Sequence, residues 1–114
     1  RSRGLGDVYK RQMGFAMIKG ITAEEQKVIQ KLLSPYKNEF EFYYYGSRVK
    51  GNFEKMSDLD ILIKGECEMP FDKLELIKYL FDNSDIPYIV NFTDFNKIDT
   101  RFFNLIKKDL VKVL

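Results

Sequence analysis

The stretch Tyr43–Lys64, YYYGSRVKGNFEKMSDLDILIK, constrains this chain more than any other. Its pattern predicts a strand, a glycine-bounded turn that opens a short helix, a polar loop over Phe53–Ser57 carrying Lys55, and a second strand over Asp58–Lys64. Alternate residues of a strand share a face, so the carboxylates of Asp58 and Asp60 stand roughly 7 Å apart on one side. Leu59, Ile61 and Ile63 turn to the other side, which suits a core. Two aligned carboxylates repel each other and are costly to bury without a cation. A divalent metal such as Mg2+, which prefers hard oxygen ligands, resolves the conflict.

The turn supplies a second half. Gly46 and Gly51 bracket Ser47, Arg48, Val49 and Lys50. A glycine after the first strand lets the backbone approach a ligand closely. Ser47 is a good N-cap, which predicts a helix from Arg48 whose free N–H groups would seat a phosphate. Arg48 and Lys50 carry charge that suits a polyphosphate, although ordinary solvated side chains would give the same pattern. No Gly-Lys-Ser/Thr follows the bracketed residues, so this is not a Walker A loop. A phosphate grip and metal carboxylates about a dozen residues apart together point to a metal–nucleotide site.

Gly46-Ser47, ten intervening residues and Asp58-Leu59-Asp60 resemble the signature of the polymerase β-type nucleotidyltransferase superfamily. The fuller string GSRVKGNFEKMSDLDILI is similar to the minimal nucleotidyltransferases, or MNT domains, found beside HEPN-domain proteins. The similarity runs from about Thr22 to Leu110. It implies an α/β (α+β) fold, a small mixed β-sheet with flanking helices. It implies Gly46 and Ser47 on the β and γ phosphates of an NTP, with Mg2+ on Asp58 and Asp60. A hydroxyl would attack the α phosphorus and expel pyrophosphate. The resemblance further implies ATP as the nucleotide and a protein hydroxyl as acceptor, such as a tyrosine on a HEPN-type RNase, making this chain an antitoxin.

One position departs from the family. A third carboxylate belongs on the third strand, and Asn91 stands there, in Val90-Asn91-Phe92. An asparagine oxygen can coordinate a cation weakly, but it is neutral and cannot act as a base. The resemblance therefore also implies a second reading, a nucleotide-binding or partner-binding module with impaired transfer. Asp94, three residues on, faces the opposite side of a regular strand. It matches a separate aspartate that the family often has and is not counted as a ligand.

Composition bounds the rest. The chain has 114 residues, enough for one domain with one core. The first twelve, RSRGLGDVYKRQ, are polar and unpatterned, precede Met13, and resemble a translated sequencing adapter, so the domain is expected over residues 13–114. That leader holds four basic residues against one acidic, so the net charge of +2 becomes −1 without it. A basic balance therefore gives no support to nucleic-acid binding. One cysteine, Cys67, and no histidine exclude an internal disulfide and a Cys/His zinc site, as suits a reducing cytoplasm. No apolar run approaches the roughly 20 residues that span a bilayer.

Elsewhere, Thr22 and Glu25 form a capping-box pattern before Val28, Ile29, Leu32 and Leu33, which predicts a helix ending near Ser34-Pro35. Phe40, Phe42 and Tyr44 share a face of a strand over Glu39–Tyr45. Phe71, Leu74, Ile77, Leu80 and Phe81 repeat at helical spacing over Phe71–Asn83. Tyr88–Phe95 predicts a third strand. Asp99 or Thr100 caps a last helix to about Lys108, with Phe102, Leu105 and Ile106 inward.

Overall fold

The structure, a computed structural model, describes residues 18–114. The leader and Met13 lie outside the described residues.

Helix α1, Ala23–Leu33, starts as its sequence dictates. The Thr22 side chain accepts from Glu25 N at 3.1 Å, and Glu25 Oε1 accepts from Thr22 N at 3.0 Å. The reciprocal bonds satisfy two amides that a helix start otherwise leaves open. Ile29 and Leu33 are fully buried. One polar residue joins them, since the Tyr44 hydroxyl donates to Gln26 Oε1 inside the core. Tyr44→Phe leaves that oxygen unpaired, so thermal or urea unfolding is expected to show a loss of about 1–3 kcal/mol.

Four strands form one sheet in the order β3-β2-β1-β4. They are β1 (Glu41–Tyr45), β2 (Leu59–Lys64), β3 (Val90–Asp94) and β4 (Val111–Lys112). β1 runs antiparallel to both β2 and β4, and β2 runs parallel to β3. The sheet is thus mixed, as expected. Strand β4 has no counterpart in the sequence reading, because two residues are too short to show a period.

Phe42 and Tyr44 of β1 and Leu59, Ile61 and Ile63 of β2 face a common core with α1 and with α3, Phe71–Asp82. Phe81 of α3 meets Phe92 of β3 edge to face, with ring centroids 5.2 Å apart. The other sheet face carries α4, Thr100–Ile106, capped by the Asp99 side chain on Phe102 N at 2.8 Å. Phe102 packs edge to face on Tyr45 at 6.1 Å, and Phe103 on Phe95 at 5.1 Å.

Two expected core positions are not in the core. Phe71 is 77% exposed, because it opens α3 one turn before the packing begins at Leu74. Leu105 is 70% exposed. The partly buried side chains of α4 are Phe102, Phe103 and Ile106, and at 100° per residue Leu105 falls off their face. Among the described residues, no helix is long and apolar enough to cross a membrane.

Candidate nucleotide and metal site

Strand β2 lies inside the sheet, between β1 and β3, and its first residues build the site. In the ladder, Asp60 pairs with Tyr45 on one side and Asn91 on the other. Asp58 lies just before β2, and the connection is held because Leu59 N donates to Ile89 O at 2.8 Å. The parallel pairing of β2 and β3 brings Asn91 to the two carboxylates. Its Nδ2 donates to Asp58 Oδ2 at 2.9 Å and to Asp60 Oδ1 at 3.4 Å.

Asp60 is only partly buried, yet burial pushes its carboxyl above the usual carboxylate range. The bond from Asn91 works against that shift, and the neighbouring Asp58 charge adds to it. The amide of Asn91 thus acts as a partial positive counterpart to a pair that, among the described residues, has no cationic side chain bonded to it.

Gly46 is set against this pair. It has φ +90°, a region that L side chains rarely adopt, and a Cβ built there collides with Asp60 Oδ2. The turn therefore needs glycine twice over, for its backbone and for its closeness to the carboxylate. Gly46→Ala is expected to displace Asp60 and reduce nucleotide binding and turnover by about 100-fold, as isothermal titration with an ATP analogue and a transfer assay would show.

Ser47 is not the N-cap. Gly46 holds that position, and Ser47 is the first residue of α2, Ser47–Lys50. Val49 N and Lys50 N both bond to Gly46 O, each at 3.0 Å. Ser47 lies at the mouth of the turn, next to Gly46.

Arg48 is engaged elsewhere than expected. It is 4% exposed, and its guanidinium donates to the carbonyls of Gly20, Lys55 and Ser57. A side chain held by three carbonyls under a tyrosine ring is not presented to a phosphate. Lys50 is exposed, with its Nζ 3.9 Å from Asp109 Oδ2. Asp94 lies on the core side of β3, where it accepts from Met69 N at 2.8 Å and Asn96 N at 2.9 Å. Its role is to tie down two turns.

Among the described residues, no group of three or more His, Cys, Asp or Glu converges. The donors near the turn are two carboxylates and one amide. They fit a divalent cation on chemical grounds, since one nitrogen reaches both carboxylates and burial disfavours the anion of Asp60.

The glycine turn laid against paired carboxylates at the head of a central strand agrees with the nucleotidyltransferase resemblance of the sequence. Residues 25–113 match the nucleotidyltransferase domain family, and the chain belongs to that family. It is an enzyme of the transferase class. Within that family it is 31% identical, over 93 residues and 82% of each chain, to a Haemophilus influenzae protein described as "Probable protein adenylyltransferase MntA". The expected resemblance to the MNT group stands. A solved toxin–antitoxin structure with AMP-PNP shares the fold, with a TM-score of 0.65 and 18% identity over 78% of this chain and 72% of that one.

Proposed function

We propose that this enzyme transfers AMP from ATP to a hydroxyl on a protein partner, with Mg2+ held by Asp58 and Asp60. The observation that carries this reading is the Asp58–Asn91–Asp60 cluster lying against Gly46. The MntA relative supports adenylyl transfer, and the toxin–antitoxin neighbour supports a role as antitoxin. The partner in this reading is a HEPN-type helical protein. Action in the cytoplasm fits an exposed free thiol at Cys67.

In this reading, Gly46 and Ser47 orient the β and γ phosphates through the turn's backbone and the Ser47 hydroxyl. The acceptor oxygen attacks the α phosphorus, a new O–P bond forms, and the bond to the bridging oxygen breaks as pyrophosphate leaves. Bound divalent metal supplies charge neutralisation for the phosphate oxygens and acidifies the attacking hydroxyl. Asp58 and Asp60 hold that charge at the reacting end. Asn91 has no basic group, so the hydroxyl proton passes to water.

A second reading is favoured by Asn91 itself. A neutral amide at the third ligand position weakens the hold on whatever activates the acceptor, so the chain would bind nucleotide and cover its partner without modifying it. Incubation with α-labelled ATP, Mg2+ and the protein encoded next to it separates the two. Label fixed covalently on the partner supports transfer, whereas a stable complex without label supports the binding module.

A further inference from the structure

We infer that Arg48 is a positioning residue that locks the phosphate turn to the carboxylate pair. The inference rests on the site assignment proposed above.

Arg48 sits one residue after Ser47, yet its side chain runs away from the turn into the protein. Its Nε donates to Ser57 O at 2.9 Å, and one terminal nitrogen donates to Lys55 O at 2.8 Å. Ser57 is joined by its peptide bond to Asp58, so this fork grips the loop at the point where it delivers the first carboxylate. The other terminal nitrogen donates to Gly20 O, and a Cβ on Gly20 would collide with the Arg48 stem. The guanidinium carbon lies 3.8 Å from the centroid of the Tyr88 ring and 5.2 Å from that of Phe53. Tyr88 leads into β3 and Asn91, and its hydroxyl donates at 2.9 Å to Glu25 in the α1 capping box. One planar group thus touches the segments that carry Ser47, Asp58 and Asn91.

Core filling alone does not account for an arginine here. A buried cation is costly, and among the described residues no carboxylate pairs with this one. It is balanced by three neutral carbonyls and two ring faces. A well-packed apolar side chain would fill such a space at lower cost. What only arginine provides is a rigid fork that bonds several carbonyls at fixed angles while stacking on a ring. Lysine, with its three donors on a single nitrogen and no planar face, cannot reproduce this fork or the ring stacking.

The test compares wild type, Arg48→Lys and Gly20→Ala in the AMP-transfer assay, each checked for folding by circular dichroism. For Arg48→Lys, kcat is expected to fall by about 10- to 100-fold, the penalty of a misplacement near 1 Å. The KM for ATP should stay within about threefold, since Gly46 and Ser47 still hold the phosphates, and the half-saturating Mg2+ concentration should rise. Gly20→Ala lies outside the site and presses on the Arg48 stem, so it should give the same split in milder form, whether or not Arg48→Lys folds. A purely structural arginine would lower the folded fraction while leaving kcat per folded molecule and Mg2+ dependence unchanged; that result overturns the inference. Active wild type with fully active variants also overturns it. If wild type binds Mg2+–AMP-PNP without transferring AMP, the half-saturating Mg2+ for that binding is the readout, and a value unchanged in both variants overturns the inference; wild type that neither binds nor transfers overturns the site assignment and this inference with it.

Discussion

Asp60→Asn is expected to abolish transfer while leaving the fold at least as stable. The loss should reach about 1,000-fold or more, the scale set by removing a group that holds charge at the reacting phosphorus. Stability moves the other way. Burial raises the Asp60 carboxyl, so the folded protein holds that proton more tightly than the unfolded chain does. Above the usual carboxylate range the unfolded chain ionises freely, and ionising the folded one costs free energy. That cost grows as pH rises through the raised value and is absent in acid, where both states are protonated. Asparagine never ionises and so removes it. Metal-free thermal unfolding at pH 7 should therefore show an equal or higher midpoint for the variant, with the difference vanishing near about pH 3. Mg2+ with AMP-PNP should raise the wild-type midpoint and leave the variant's unchanged, because only the wild type gains a ligand in the folded state. A variant that kept its activity, or that melted well below wild type without metal, would refute the assignment of this carboxylate.

Asn91→Asp should have nearly as large an effect, in the opposite direction. The change completes a set of three carboxylates and restores a group able to take the acceptor proton. Transfer is expected to rise by roughly 100-fold, the lower end of what a positioned base contributes. The same change costs stability in the absence of metal. It removes the amide that donates to Asp58 and Asp60 and puts a third negative charge beside them. The metal-free midpoint should drop, and Mg2+ should recover it. Label incorporation and melting curves with and without Mg2+ test both halves. If transfer and metal response both stayed at the wild-type level, Asn91 would not occupy the third ligand position.

Local signals are legible where they depend on near neighbours in the chain. Thr22 and Glu25 make their capping box three residues apart. Asp99 caps α4 within one turn. Asp58 and Asp60 come together because a strand returns to the same face every second residue. Asp94 is excluded from the site by the same period, counted from Asn91, and it lies on the core side as expected. Strand ends were less legible. Glu39 and Phe40, Asp58, Tyr88 and Ile89, and Phe95 all continue the residue pattern but lie outside the bounds of the strands.

Three departures from the sequence pattern share one cause: Phe71, Leu105 and Arg48 follow a local period or residue type, whereas what surrounds each is set by tertiary packing. Phe71 and Leu105 fit a helical period, but which turn of a helix meets the sheet depends on where the sheet ends. Arg48 has the charge that suits a phosphate, but the fold turns it inward: the loop carbonyls of Lys55 and Ser57, 7 and 9 residues on, and the distant Gly20 and Tyr88 converge on it only once the sheet is formed.

By itself, then, the sequence determined the glycine turn, the pair of acids and the order of the helices and of the first three strands, because those follow from backbone conformation and spacing over a few residues. Tertiary structure decided that Asn91 would bridge both acids, that Gly46 would press on Asp60, and that Arg48 would face inward. Each of these follows from how strands pair and which segments meet across the core. Such contacts are set by the burial of the whole sheet and leave no periodic trace in the chain.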